Sequence, residues 1–284
     1  MNWVVRTAGV LALLVAFSPT MDAQWPKYPT PGVPRAADGK PILDGPAPRT
    51  ADGKVDFSGV WQRPFGVTSG TGRGQGAAPA VPATTPDGIP ISTFGEVAGR
   101  GYPLPMTPWA AELKKRRMAD NMKDNPDAHC LPMGLMQFHN HGQPRKMVQT
   151  PGLIVITYEA NYGLRYIFMD GRKLPGSDAQ PWWYGYSVGR WEGDTLVVDS
   201  TGFRDGEWLD IIGNPMTDAA KVTERFRRPT FGTLEIDVTI DDPKAYTKPW
   251  TVRVNQRLLA DTDLIEFVCN ENELFQPWLK KQQP

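Results

Sequence analysis

Across the second half of the chain, apolar and polar side chains alternate in short runs, each ending at a turn. In TLEIDVTI, Leu234, Ile236, Val238 and Ile240 fall on one phase, while Glu235, Asp237 and Thr239 fall on the other. Such period-two alternation gives a strand with one buried and one wet face, the pattern of an antiparallel sheet. The same reading predicts further strand pairs. LIVITYEA (153–160) turns at Asn161-Tyr162-Gly163 into LRYIFMDG, and YGYSVGRW runs through Glu192-Gly193-Asp194 into TLVVDSTGF. KVTERFRR turns at PTFG into TLEIDVTI, and WTVRVNQRLL turns across 260–263 into LIEFVCN. With VDFSGVWQ from Val55 and the VQT segment after Met147, the strands number roughly eight to ten, enough to close a sheet and leave no free edge. The predicted fold is mainly β, an antiparallel meander closing into a barrel.

Upstream the pattern changes. Residues 64–106 are dominated by Gly, Pro, Ser and Thr and read as a flexible insertion after the first strand. GTGRGQG at 70–76 lacks the lysine-serine ending and the strand-to-helix setting of a phosphate loop. One helix is predicted over 107–124. Thr107 can cap it, Pro108 suits its first position, and Trp109, Leu113, Met118 and Met122 supply apolar contacts before Asn125-Pro126 stops it. Residues 24–54 are rich in Pro and Gly and contain the near-repeat PRAADGKP and PRTADGKV; they read as an extended leader to a single β domain over 55–284. At the N-terminus, Arg6, the apolar run Ala8 to Phe17 and Met21-Asp22-Ala23 read as a secretory signal peptide over residues 1–23. The run is too short to span a bilayer. The expected product is therefore periplasmic or secreted, with no membrane span once the signal is removed.

Charge narrows the partners. Lys plus Arg and Asp plus Glu both number 31, so no global field favours nucleic acid or an anionic membrane. The run Lys114 to Arg117 is local and reads as the wet face of the predicted helix. A small molecule is the expected partner. Cys130 and Cys269 form an even pair, which in an oxidising compartment reads as a disulfide. Closing so long a loop is worth up to about 5 kcal/mol in the chain-entropy treatment. The alternative is a thiolate ligand beside His129.

Gly59-Val60-Trp61 in the first strand resembles the Gly-x-Trp that opens lipocalins, whose tryptophan closes the barrel base beneath an arginine from a late strand. The resemblance implies a lipocalin-like (calycin) barrel with Arg253 or Arg257 in that part. GRWEGDTL at 189–196 is similar to a run in small lipocalin-like bacterial proteins. The long insertion and the missing lipocalin Thr-Asp-Tyr motif depart from the pattern. More of the chain resembles a broad group of secreted bacterial proteins of unknown function. Their phrases DxSGVW, CLPxG, VQTPG, GRWEGDTLVV, TIDDPKAYTxPW and VCNEN stand here at 56–61, 130–134, 148–152, 189–198, 239–250 and 268–272. That resemblance implies secretion and a shared fold and brings no activity with it. Both cysteines fall inside recurring phrases, which suits a structural bridge.

Candidate chemistry gathers in HCLPMGLMQFHNH (129–141), which holds all three histidines. His139 and His141 flank Asn140, so on a strand both rings would share a face. With His129 they offer zinc a three-imidazole site, and with Met133 and Met136 a softer site for copper. His139 and His141, together with Asp170, are also the candidates for general acid–base catalysis. A surface loop with incidental histidines is the plain alternative. There is no Gly-x-Ser-x-Gly elbow and no His-Glu-x-x-His.

A second cluster is aromatic. Trp182, Trp183, Tyr184 and Tyr186 precede the long hairpin, and Tyr158, Tyr166 and Phe168 lie on earlier strands. They predict a pocket at the barrel mouth for an apolar or aromatic ligand, with inter-strand packing as the alternative. Arg172 and Arg190 can receive a ligand carboxylate. Glu266, and Gln256 on the face of Val252 and Val254, are polar groups aimed into the barrel. The expected function is cofactor-free binding of a small apolar or aromatic ligand by an exported barrel. The alternatives are a cofactor-free lyase, isomerase or hydrolase with its site in the barrel, and copper or zinc binding by the His129–His141 loop.

Overall fold

The computed structural model describes residues 28–64, 83–91 and 104–269. The segment read as a signal peptide and most of the Gly/Pro-rich insertion lie outside these residues. Among them the strands are β1 (Gly59–Gln62), β2 (Ala83–Thr84), β3 (Pro90–Ile91), β4 (Arg145–Gln149), β5 (Leu153–Tyr158), β6 (Leu164–Phe168), β7 (Tyr186–Glu192), β8 (Thr195–Thr201), β9 (Glu207–Trp208), β10 (Pro215–Met216), β11 (Lys221–Thr230), β12 (Thr233–Asp241) and β13 (Trp250–Leu258). Two α-helices, α1 (Pro108–Ala119) and α2 (Leu135–Asn140), precede β4.

Nine strands close a barrel in the order β1-β4-β5-β6-β7-β8-β11-β12-β13. β13 returns to β1 through Trp61 opposite Leu258 and Gln62 opposite Arg257. The predicted mainly-β barrel is present, but the meander is interrupted. β6 and β7 run parallel, with Ile167 opposite Ser187 and Phe168 opposite Val188. A closed ring of purely antiparallel pairs needs an even number of strands, so a nine-strand ring must contain a parallel pair. LIEFVCN is expected as a last strand, but residues 264–268 are irregular, and Glu266 is exposed rather than aimed inward. β13 is already flanked by β12 on one side and by β1 and β3 on the other, so no edge is left for it.

Alternation sets the core. Val222 and Phe226, Leu234 to Ile240 on even numbers, and Val252 and Val254 are buried. The opposite phase carries ion pairs, including Arg253 with Asp237 at 2.6 Å and Arg225 with Glu192 at 2.9 Å. At one end Trp61 is fully buried and donates Nε1–H to the Phe57 carbonyl at 2.9 Å. The arginine over its ring, 4.8 Å from the centroid, is Arg228 of β11. Arg253 instead serves the outer face and Arg257 is exposed, which corrects the assignment drawn from the lipocalin resemblance. Gly59 has φ +142°, a backbone conformation that strains any residue with a Cβ, so this position in β1 favours glycine.

The helix α1 begins as predicted, with Thr107 Oγ1 accepting from the Ala110 N–H at 3.2 Å. It ends short of residue 124 because Asn121 and Met122 take positive φ. A disulfide joins Cys130 to Cys269, tying the segment before α2 to the chain that follows β13. The two leader repeats fold alike. Arg35 binds the Gly39 carbonyl and Asp261, and Arg49 binds the Gly53 carbonyl and Asp194, so each repeat forms a clasp pinned to a carboxylate beside the barrel. No helix among the described residues is long and apolar enough to cross a membrane.

Candidate functional site

The barrel interior is apolar where the Trp61 ring points, toward Phe57 and Phe231, and polar toward α2. On the polar side, β6 turns Arg165 inward, β11 supplies Glu224, and β7 and β8 supply Ser187 and Ser200, all buried. β4 and β5 place Arg145 opposite Tyr158. The helix α2 lowers His139 onto this layer, where its side chain is 2% exposed.

Glu224 is the hub. His139 Nε2 lies 2.6 Å from Glu224 Oε1, and Arg165 Nη1 donates to the same oxygen at 3.1 Å while its Nη2 donates to Oε2. Arg165 also donates to Ser187 Oγ at 3.1 Å and to Ser200 Oγ at 3.2 Å. Burial pushes the Glu224 carboxyl up, but the charge of Arg165 and the His139 contact outweigh it and hold the group well below the usual carboxylate range. Glu224 is therefore ionised and can only accept. The hydrogen between the two side chains then sits on His139 Nε2, leaving Nδ1 with a bare lone pair. Burial drives the His139 pKa below its ordinary 6.5 despite the opposing pull of Glu224, so the ring is neutral at pH 7.

Arg145 behaves differently from Arg165. It is 2% exposed, yet among the described residues none of its three guanidinium nitrogens has a hydrogen-bond partner. Its nearest aromatic neighbour is the Tyr158 ring, 5.8 Å from the guanidinium carbon. Burial pulls its pKa down to about 10, which leaves it charged at pH 7. Arg165 and Glu224 cancel and His139 is neutral, so Arg145 leaves the layer with one uncompensated positive charge.

A second buried carboxyl lies against the start of α2. Glu207 Oε1 accepts from the Arg204 N–H at 3.2 Å, while Oε2 is buried with no partner among the described residues. Burial raises its pKa well above 4.5, beyond what the Arg204 contact offsets. Glu207 packs against the start of α2: a Cβ on Gly134, whose φ is +79°, would lie 2.8 Å from Oε2, so glycine is required where the two meet. Tyr184, coupled electrostatically to Glu207, stacks on Tyr158 with centroids 6.4 Å apart.

The expected site residues divide. His129 is exposed and its Nε2 lies 2.7 Å from the Lys123 carbonyl; His141 accepts at Nδ1 from the Gln143 N–H at 3.3 Å. The three imidazoles thus go to three different partners, and among the described residues no three His, Cys, Asp or Glu side chains are grouped to hold a metal. The strand reading of His139 and His141 is corrected: α2 ends between them, so their rings do not share a face. Cys130 is spent in the disulfide and is not a thiolate ligand. Asp170 pairs with Arg172 on the exterior and lies apart from His139.

The aromatic set divides likewise, and only Tyr158 of its ligand candidates lines the interior. Tyr166, 46% exposed, stacks on Phe168, which stacks on Tyr186 at 5.0 Å, and Trp182 tilts against Tyr186 at 5.2 Å. This ladder runs along the outer face, with Arg172 over Phe168 and bonded to the Tyr186 hydroxyl at 2.9 Å. Arg190 is also outside, paired with Asp199 and Glu192. Trp183 lies under the Arg204 guanidinium. Gln256 does point inward, donating to the His139 carbonyl at 3.2 Å.

Arg145, Arg165, Glu224 and Glu207 were missed by the sequence reading. Three of them carried a signal, because Glu224 shares its phase with Val222 and Phe226, Arg165 with Ile167, and Arg145 with Met147. Glu207 carried none, since its burial depends on a contact with Gly134 far away in sequence.

Grooves on the described surface lie elsewhere. One of about 390 Å³ runs between the leader and the Trp61 end, lined by Tyr28, Val60, Arg228, Phe231 and Leu258 among others. The polar layer itself lies beneath the 133–141 segment, which supplies His139. No protein-family model matches the chain, and no curated protein or solved structure is significantly similar to it, so function must be argued from this geometry.

Proposed function

We propose that this chain is an exported, lipocalin-like barrel that binds a small organic anion, a carboxylate on an apolar or aromatic body, at the polar end of its interior. The signal-like N-terminus and the Cys130–Cys269 bridge support export. The single observation that carries the binding reading is the buried Arg145 guanidinium without an acceptor. An unpaired interior cation costs several kcal/mol, and a carboxylate matches the guanidinium fork with two parallel hydrogen bonds. Tyr158 and Tyr184 offer adjoining ring faces to the ligand body. Access requires the 133–141 segment to part from the wall. Its polar attachments include the Gln256 bond to the His139 carbonyl and the Asn125–Gln137 pair, and the disulfide tethers it as it moves.

The test is a titration of the full chain with 3-phenylpropanoate and decanoate, and with 3-phenylpropanol as a neutral control. Trp61, opposite Arg145 in register, is the natural fluorescence reporter. The carboxylates should bind and the alcohol should not. Arg145→Met should weaken carboxylate binding by about ten- to a hundredfold, the worth of a charged hydrogen-bonded pair. Equal affinity in the wild type and Arg145→Met would sink the reading.

A further inference from the structure

Arg145 has unpaired company at the polar end. Arg63, half-buried just past β1, and Arg257, exposed on β13, make no hydrogen bond or ion pair among the described residues. The strand register relates both to Arg145. β1 sets Trp61 opposite Arg145 on one side and opposite Leu258 on the other, with Gln62 opposite Arg257. Carried two residues past Trp61, the chain brings Arg63 diagonal to Arg145, a separation of about 7–8 Å that long side chains cross. The two are in electrostatic contact, because the Arg63 charge pulls down the pKa of both Arg145 and His141. Asp127, a carboxylate that bears on His141, is engaged by the Asn161 side-chain amide at 2.8 Å.

A groove of about 520 Å³ beside β1 and β13 is lined by Gln62, Arg63, Arg257 and Leu259 among others, and none of its described lining residues is Asp or Glu. Its third cation, Lys40, is paired with Asp38 at 2.8 Å. Gln62 links this groove to the segment over the interior, since its Nε2 donates to the Gly142 carbonyl at 2.6 Å, next to His141. Arg257 by itself would be an ordinary surface charge. Sharing a groove with Arg63, which itself bears on Arg145, makes it the outer end of a row of three arginines without acceptors. Like charges in such a row repel, and an anion that reaches both ends relieves them. The strands of Arg145 and Arg257 lie two spacings apart, about 10 Å, which an extended ten-carbon chain spans.

We infer that the bound molecule is a dicarboxylate, with one carboxylate on Arg145 inside the barrel and the other on Arg63 and Arg257 in the groove. The inference rests on the binding reading above and narrows its ligand class. The apolar chain between the two carboxylates leaves the interior past Gly142, where the 133–141 segment parts from the wall.

The experiment titrates the full chain with decanedioate and with its monomethyl ester, which keeps the length and masks one charge, and follows tryptophan emission. The wild type should bind the diacid about tenfold more tightly than the monoester, the worth of one further hydrogen-bonded charge. Arg63→Met and Arg257→Met should each reduce that preference and leave monoester affinity within about twofold of the wild type, which also shows that the variants fold. Together the two substitutions should abolish the preference, whereas Arg145→Met should weaken both probes. Equal binding of diacid and monoester by the wild type would overturn the dicarboxylate inference and leave the binding reading standing. So would a preference that survives in the double variant. No binding of either probe would overturn both.

Discussion

The two ends of the barrel interior each bury an arginine over an aromatic ring, and they use it in opposite ways. At the Trp61 end, Arg228 donates to the Phe231 carbonyl at 2.6 Å and to the carbonyls of Asp56 and Ser58, so the guanidinium is spent on closing the fold. At the α2 end, Arg145 lies near the Tyr158 ring and none of its nitrogens is bonded among the described residues. Both are pulled down to about 10 by burial, so desolvation alone does not tell them apart. The acceptors do. A buried cation that the fold satisfies is structural, whereas one that the fold leaves unsatisfied is stabilised only by something that arrives from outside.

The sharpest way to test that division is to remove the charge partner the polar end does possess. Arg165→Met strands Glu224 in the interior with only the neutral His139 against it. Breaking a buried pair from one side costs about 3–5 kcal/mol. Urea unfolding followed by tryptophan emission should show a loss of that size. A loss below about 1 kcal/mol would mean that water already reaches Glu224 and that the layer is not desolvated.

The two ring-capping arginines should then separate cleanly. Arg228→Met leaves the carbonyls of Phe231, Asp56 and Ser58 without their donor and should cost about 2–3 kcal/mol in the same assay. Arg145→Met removes an uncompensated cation and replaces it with an apolar chain of similar length. Its stability should stay within about 0.5 kcal/mol of the wild type or rise above it. If Arg145→Met loses as much as Arg228→Met, the contrast fails and Arg145 is a packing residue.

Much of this contrast was latent in the pattern of the sequence. Period-two alternation is enough to read β11, β12 and β13, because one phase is almost wholly apolar and the other charged. That same regularity marks Glu224 as the odd member of its phase. LRYIF hides Arg165, since Leu164, Tyr166 and Phe168 make the outer phase look like the core and draw a pocket to the wrong side of the sheet. The arginine over Trp61 could be placed on a late strand but not chosen among several, because barrel closure, not sequence distance, brings β11 over the ring. His139 was singled out for its neighbours in HNH, yet its partner is a glutamate 85 residues away. Glu207 was beyond reach, since its environment comes from a glycine in another segment.

The last expected effect concerns the slope of stability with pH rather than its size. His139 has a folded pKa below 6.5, so the unfolded chain takes up a proton first as pH falls through 6.5, and the native state loses stability from there downward. Glu207 has a folded pKa well above 4.5, so the native state holds a proton that the unfolded chain releases, and stability falls as pH rises from 4.5 toward that folded value. Each group contributes at most about 1.4 kcal/mol per pH unit. Relative to the wild type, His139→Gln should therefore gain stability as pH is lowered from 7 to 5. Glu207→Gln should gain it as pH is raised from 5 to 8. Arg228→Met carries no group that titrates in this range, so its difference from the wild type should stay level. Denaturant midpoints measured across pH 5 to 8 decide the matter. Flat differences for both variants would mean that His139 and Glu207 titrate as they do in the unfolded chain, and water would then reach both groups in the folded state.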